Sequence, residues 1–224
     1  MNKRTKLSAR ILPFYTRGEE IMNMVTHITG GGIAVLVLLL CVGKAIWNKN
    51  IFDIVGASIY GFSMVALYAV SSIYHGLHSG MAKKVMQVID HCTIYFLIAG
   101  TYTPIMLTAF VPTYPIIGWG LLTVEWILAL TAATLTAIDL KNYRIFSMIC
   151  YIGMGWGIIF FLPQTLIVMT PAGFMLLLIG GIAYTVGAVL FGIGTKVRWM
   201  HAVFHIFVVL GSLLQFLSIL LYVL

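Results

Sequence analysis

The pair of residues in this sequence best suited to chemistry is His201 and His205, in the stretch HAVFH. Residues four apart lie on the same face of an α-helix. The two histidines stand at the start of a long apolar stretch, and in hydrocarbon a face with two imidazoles must point at something polar, such as a metal ion. The spacing therefore predicts a metal-binding face on a membrane helix.

A second stretch, SSIYHGLHSG, places Ser71, His75 and His78 at positions i, i+4 and i+7. Ser71 and His75 then share a helix face, one turn apart. We expect Ser71 to orient the imidazole of His75 or to hold a bound water. His78 is close to a loop and is expected in the headgroup region.

Three neutral imidazoles with a fourth position left for water are the ligand set of many catalytic zinc sites. His75, His201 and His205 could supply them. Asp90 is then the natural acceptor for the proton of the bound water. A centre of this kind performs hydrolysis. In a second interpretation, Asp90 only pairs with a lysine or arginine at the membrane rim.

Two further acidic positions could be functional. Glu20, Asn23 and His27 are spaced i, i+3 and i+7, so they form one helical stripe. They either belong to the same polar layer or join the N-terminal tail to the helices, with Glu20 offsetting Arg17. Glu125 stands alone inside an apolar stretch, where it is either protonated and hydrogen-bonded between helices or lines a cavity.

The composition identifies the elements that must position these residues. The chain has 224 residues, of which 61% are hydrophobic and 8% charged. Such a chain is an integral membrane protein rather than a soluble globule. A β-barrel would need alternating segments of roughly ten residues, which the sequence lacks. The predicted fold class is therefore an all-α membrane protein.

Seven apolar runs are long enough to be considered as membrane helices. They cover residues 22–46, 52–77, 85–110, 115–138, 144–162, 172–194 and 200–224. The connections between them are short. We therefore expect a seven-transmembrane helix bundle in which a cytoplasmic basic tail, residues 1–21, precedes one domain, residues 22–224.

The basic residues predict the orientation of the bundle. Eleven of the 13 lie in the tail and in the second, fourth and sixth connections, and the other two are Lys44 and Lys49. The positive-inside rule then predicts a cytoplasmic N-terminus and a C-terminus outside. The net charge of +7 reflects this topology and attraction to anionic lipids, so nucleic acid is excluded as a partner. His75, Asp90, His201 and His205 all fall at the cytoplasmic level.

Four motifs together resemble one known family. SSIYH (71–75), the stretch DHCTIYFLIAGTYTP that begins at Asp90, HAVFH (201–205) and EEIMNMVTH, which contains Glu20, Asn23 and His27, are similar to the signature motifs of the hemolysin III / progestin and adipoQ receptor (PAQR) family. The resemblance covers nearly the whole chain. The short tail and loops resemble the bacterial hemolysin III branch.

The resemblance implies a seven-helix bundle with a zinc ion near the cytoplasmic face. It implies that His75, His201 and His205 bind the metal, that Asp90 holds or activates the water and that Ser71 lines the site. The family is similar to alkaline ceramidases, which cleave a lipid amide, and its bacterial members are linked to lipid homeostasis.

The function we expect first is that of a zinc-dependent hydrolase of a lipid amide or ester bond in the plasma membrane, with membrane lipids as partners. A second hypothesis is a sensor or regulator of membrane fluidity in which zinc is structural. A third is a cytolytic, pore-forming hemolysin. The sequence carries no mark of the oligomeric state, and its three cysteines are isolated within apolar runs.

Overall fold

The structure, a computed structural model, describes residues 4–194 and 197–224. Every regular element in this part of the chain is helical. The main helices are α1 (Arg17–Asn48), α2 (Ile51–Gly76), α3 (Met81–Pro104), α4 (Pro115–Ile138), α5 (Arg144–Trp156), α6 (Leu162–Ile193) and α7 (Met200–Tyr222). A short 3-10 turn, Leu7–Ala9, precedes them.

Helices long and apolar enough to cross a membrane make up most of the described residues, and six spans meet both criteria. Large apolar side chains cover their outward faces: Leu36 is 59%, Phe62 64% and Ile127 57% exposed. Contiguous apolar surface of this extent is incompatible with water and suits lipid. The chain is a multi-pass membrane protein.

Helix α1 begins at Arg17, five residues before the apolar run that predicted it. The cause is a capping box: Thr16 accepts a hydrogen bond from the backbone N–H of Glu19, and the Glu19 carboxylate accepts one from the N–H of Thr16 at 2.9 Å. The cap starts the helix early enough to include Glu20. The acidic and polar stripe of the sequence is therefore helical throughout.

Helix α3 is also longer than its apolar run, because its path continues through a π-helical segment, Ile105–Phe110, and a last turn, Val111–Thr113. Pro104 lies just before the π-helical segment. Proline has no N–H to donate to the preceding turn, and a change to wider hydrogen bonding accommodates that loss. The helix ends before Tyr114, and Pro115 starts α4.

The fifth and sixth apolar runs form one continuous helical stretch, Arg144–Ile193, of 50 residues. The fifth run, residues 144–162, ends where a 3-10 segment, Gly157–Phe161, meets the start of α6, and Pro163 lies in the first turn of α6, where proline is tolerated. The stretch is interrupted again at Thr170, whose φ of 62° and ψ of 158° are not helical. Pro171 follows Thr170, and a residue before proline is disfavoured in the α region.

This stretch does not run straight. The indole N–H of Trp156 donates to Thr185 Oγ1 at 3.0 Å, although the two residues are 29 apart in sequence. In a straight helix they would be separated by about 43 Å. The chain must reverse direction between α5 and the later part of α6.

The first and last helices are parallel. At their beginnings, the backbone N–H of Trp199 donates to Glu19 Oε1 at 2.8 Å. Near their ends, Lys44 Nζ donates to the carbonyl of Leu220 at 2.6 Å. The start of α7 therefore lies beside the start of α1, at the same end of the bundle.

Close helix contacts depend on small residues, as is common in lipid. A Cβ on Gly56 would lie 2.7 Å from Pro104 Cα, and one on Gly30 would lie 2.5 Å from a ring carbon of Tyr68. Only glycine lets α2 approach α3, and α1 approach α2, so closely. These contacts hold α1, α2 and α3 in close packing.

Candidate metal centre

Three histidines meet at one end of the bundle. His75 lies at the end of α2, and His201 and His205 lie in the first two turns of α7. Their ligand nitrogens all lie within 4.8 Å of one another, and the three residues are 3%, 8% and 1% exposed. We call these three residues the histidine cluster.

A hydrogen bond orients His75 toward the centre of the cluster. Its Nδ1 lies 2.7 Å from Glu20 Oε2, and because a carboxylate only accepts, the imidazole donates. The other carboxylate oxygen of Glu20 accepts from Lys83 Nζ at 2.8 Å. The Nε2 atom of His75 is buried and has no partner among the described residues. In the neutral ring this nitrogen carries the lone pair that a metal would need.

His205 is oriented in the same way by a backbone group. Its Nδ1 donates to the carbonyl of Asn23 at 3.1 Å. Its Nε2 then faces Nε2 of His201 at 3.2 Å. Two nitrogens bound at about 2.0–2.1 Å to one tetrahedral zinc ion lie about 3.3 Å apart. The observed separation therefore fits a shared metal ion.

The stripe predicted on α1 contributes two residues to the surroundings of the cluster. Asn23 is fully buried, and its Nδ2 lies 3.5 Å from His75 Nδ1. Glu20 pairs with His75 and Lys83, so the interpretation in which it merely offsets Arg17 is not the arrangement found. Helix α1 thus holds both sides of the cluster in place.

His27, the third residue of that stripe, stacks on the ring of His205 with centroids 3.6 Å apart and planes at 13°. It is 3% exposed, and neither ring nitrogen has a hydrogen-bond partner in the described part of the chain. Its edge also meets Tyr68. His27 packs against the cluster without joining the three mutually close nitrogens.

Asp90 and Ser71 line a cavity beside the cluster, together with His201 and His205. The ion pair that the structure describes for Asp90 is with His91, at 3.8 Å from Oδ2 to Nδ1. Within residues 4–194 and 197–224 no lysine or arginine pairs with Asp90. The rim ion pair considered from the sequence is therefore not the arrangement in this part of the chain.

The cavity is long and mostly apolar. Its volume is about 170 Å³, and it extends from Asp90 along α3 to Ile105 at the start of the π-helical segment, and from His201 to Gln215 along α7. Fifteen residues of helix correspond to about 22 Å. Side chains such as Leu97, Leu177 and Val208 form its walls. The cluster thus lies at one end of a mostly apolar cavity.

The cluster has a further wall that the sequence did not predict. The ring of Tyr15 stacks on His201 with centroids 5.0 Å apart and planes at 26°, and its centroid is 5.9 Å from that of His75. Burial, together with the charges of Glu20 and Asp90, raises the pKa of the Tyr15 phenol. Tyr15 is therefore a neutral hydroxyl at physiological pH.

Two members of this site were missed from the sequence. In the sequence, Lys83 is only one of the basic residues that predict the orientation of the bundle in the membrane. In the structure it is 4% exposed and forms an ion pair with Glu20. No local pattern identifies Tyr15. The capping box of Thr16 and Glu19, however, is a readable signal that the helix starts early and brings the preceding residues to the cluster.

Glu125 lies away from the cluster. It is 2% exposed, and its Oε2 has no partner among the described residues. A Cβ on Gly157 would lie 3.1 Å from Glu125 Oε1 and 3.4 Å from the Tyr102 hydroxyl. Tyr102 lines the cavity. Glu125 is thus packed between α4 and the 3-10 segment, beside one wall of the cavity.

These features define a class: a helical multi-pass membrane protein with a buried histidine cluster at the end of an apolar cavity. The comparison with family models is more specific, since residues 15–216 match the family described as haemolysin-III related. The chain belongs to this family.

Relatives of this chain cover nearly its whole length. Hemolysin-3 of Bacillus cereus is 37% identical over 206 residues, covering 92% of this chain and 92% of the relative. The hemolysin-3 homolog of Bacillus subtilis (strain 168) is 36% identical over 208 residues, covering 93% and 96%. The monocyte to macrophage differentiation factor of Homo sapiens is 25% identical over 232 residues, covering 98% and 90%.

Proposed function

We propose that this protein is a zinc-dependent hydrolase that cleaves an amide or ester bond of a membrane lipid and takes part in membrane lipid homeostasis. The observation that carries the proposal is the histidine cluster itself. His75 and His205 each donate from Nδ1 to a partner on α1, which leaves Nε2 facing the cluster. An apolar cavity leads to this point.

His75, His201 and His205 would hold the metal through their Nε2 atoms. Three neutral imidazoles with an open fourth position suit zinc in a catalytic site. When bound, zinc polarises a carbonyl and lowers the pKa of water toward about 7. Glu20 and the carbonyl of Asn23 keep the rings in the tautomer that this requires.

Asp90 is the group that would move the proton. In hydrolysis, the water oxygen bonds to the carbonyl carbon and the carbon–nitrogen or carbon–oxygen bond breaks. Asp90 would take the proton from the water and return it to the leaving amine or alcohol. Ser71, buried beside it on the cavity wall, would hold the water in position.

The cavity supports a substrate with a long acyl chain that enters from the bilayer. Its apolar walls extend about 22 Å from Asp90 along α3. A lipid with its chain in this channel would present its amide or ester group at the histidine cluster. The same apolar lining gives little support to the alternative of a cytolytic pore, because ion conduction needs polar groups along the path.

We also propose seven membrane crossings, with the N-terminus in the cytoplasm, the C-terminus outside and the plasma membrane as the location. Two observations support this number. Because α1 and α7 are parallel, the number of crossings from α1 to α7 must be odd. The hydrogen bond from Trp156 to Thr185 supports two crossings within Arg144–Ile193. The basic connections support the orientation.

One observation favours a second candidate function. The cluster joins α1, α2 and α7, and Tyr15 covers it, so a metal bound there would tie helix ends together. Zinc in such a centre would be structural. The protein would then sense or regulate membrane fluidity through the packing of these helices.

Turnover of defined lipids separates the two functions. Purified protein in nanodiscs would receive an N-acyl amide lipid, the corresponding ester and a non-hydrolysable ether, and released fatty acid would be measured. We expect release from the amide or the ester, loss of release in metal-free protein and recovery with zinc. His78→Ala, which changes an exposed histidine, is the matched control and should remain active.

Full activity in metal-free protein would contradict the proposal. Absence of release from all three lipids, combined with loss of the fold when the metal is removed, would favour the structural function.

A further inference from the structure

The chain before α1 lies across the histidine cluster. We call residues 4–16 the N-terminal strap. Its last aromatic residue, Tyr15, stacks on His201 and borders His75, and it is not among the residues that line the cavity. The strap therefore covers the cluster where the cavity does not.

The strap is attached at its far end to the connection between α4 and α5. The backbone N–H of Thr5 donates to Asp139 Oδ2 at 2.7 Å. Arg4 Nε and Arg10 Nη2 both donate to the carbonyl of Ile138, at 3.2 Å and 3.3 Å. This carbonyl is at the end of α4, where the helix leaves acceptors unpaired and favours positive charge.

The anchor itself is preformed. The N–H groups of Lys141 and Asn142 and the side-chain amide of Asn142 all donate to the Asp139 carboxylate. Burial opposes ionisation of this group, but these hydrogen bonds and the one from Thr5 hold the pKa of Asp139 below its usual range. The loop can therefore keep its shape when the strap leaves.

Two large apolar side chains of the strap do not pack on the bundle, since Ile11 is 94% and Phe14 91% exposed, whereas Leu7 and Leu12 are half-buried. Some of the hydrogen bonds that attach the strap are exposed, among them the bond from Lys84 Nζ to the carbonyl of Ser8 at 2.6 Å. Segments with exposed hydrogen bonds and little apolar burial open at low free energy.

We propose that the N-terminal strap is a lid over the cytoplasmic mouth of the metal centre, that Tyr15 closes this mouth, and that the lid opens when the strap leaves Ile138 and Asp139. A closed lid confines access to the cavity and hence to lipid. An open lid connects the centre to water and to polar solutes. The inference rests on the location of the proposed centre but on neither zinc nor hydrolysis.

The test measures access of a water-soluble probe to the centre. A His205→Cys variant places a thiol within the histidine cluster while the stack of Tyr15 on His201 remains. The rate at which a charged maleimide labels this thiol is measured in nanodiscs. The chain that keeps His205 gives the background from the three native cysteines.

We expect slow labelling with the strap intact and labelling at least about tenfold faster when Tyr15→Ala is added. Arg10→Ala should also accelerate labelling, because it weakens the distant attachment without touching the cluster. Two matched controls in the strap, Phe14→Ala and Lys6→Ala, change exposed side chains and should leave the rate within about twofold. The buried thiol of Cys41 should stay unlabelled, which reports an intact bundle.

Equal labelling rates in the His205→Cys chain with and without Tyr15→Ala or Arg10→Ala would contradict the proposed lid. Equal acceleration of labelling by the control variants would also contradict it. The labelling rate of the His205→Cys chain is measured without metal or substrate. This result therefore does not depend on whether the protein hydrolyses lipids. Failure of the lid would likewise leave the turnover measurement unaffected.

Discussion

The histidine cluster and Glu125 are both buried polar sites within apolar helices, and they differ in their surroundings. His75 and His205 each donate to a partner on α1, and Glu20 is itself held by Lys83. Glu125 has one oxygen without any partner among the described residues. A buried polar group in a membrane helix is a candidate functional residue. Partners that fix the direction of its lone pair are stronger evidence, because they orient the group to bind a metal.

Side chains come close together for different reasons at the two sites. Glycine at position 157 leaves room for the Glu125 carboxylate against the 3-10 segment, which is a packing arrangement. At the cluster, by contrast, residues far apart in sequence bring nitrogen atoms together. The ligand nitrogen of His75 lies within 4.8 Å of those of His201 and His205. We therefore expect substitutions at the two places to have different effects.

The largest effect on turnover is expected from Asp90→Asn. The amide cannot accept a proton from water, so turnover should fall by about 10²–10⁴ while bound zinc stays unchanged. Fatty-acid release and metal analysis of the same sample measure both quantities. Asp53→Asn, at a buried aspartate near the start of α2, is the control and should keep its activity. Undiminished turnover in Asp90→Asn would remove Asp90 from the proposed role.

A smaller effect is expected from Glu20→Gln, which weakens the acceptor that orients His75 and leaves Lys83 without its carboxylate partner. Loss of such a partner lowers metal affinity by about 10–100-fold. Competition with a chelator of known affinity measures it. Unchanged affinity would show that α1 does not position the cluster through this contact.

The smallest effect is expected at the other site. Glu125→Gln should leave zinc affinity within about twofold of the parent, because Glu125 contacts none of the three histidines, and should change the free energy of unfolding by about 1 kcal/mol or less. Chelator competition and thermal unfolding test this. A large loss of zinc in Glu125→Gln would contradict the claim that Glu125 is independent of the histidine cluster.

Much of the candidate site could be predicted from the sequence because its key spacings are local. The four-residue interval between His201 and His205 places both on one helix face, and the bias of basic residues predicts that face at the same level as His75 and Asp90. The i, i+3, i+7 stripe of Glu20, Asn23 and His27 likewise lies on one helix.

The remainder depends on long-range contacts that no local pattern contains. Tyr15 reaches His201, 186 positions later, only because the strap turns back over the cluster. Lys83 was predicted to be cytoplasmic but not to bind Glu20. The non-helical conformation of Thr170 within α6 was likewise not predicted from the sequence.

The most direct test of the account is the zinc content of purified protein after exchange into metal-free buffer. We predict about one zinc ion per chain in the parent and in His78→Ala, and close to none in His75→Ala, His201→Ala or His205→Ala. Equal zinc content in the parent and in all three cluster variants, or no zinc in folded parent protein supplied with it, would contradict the account.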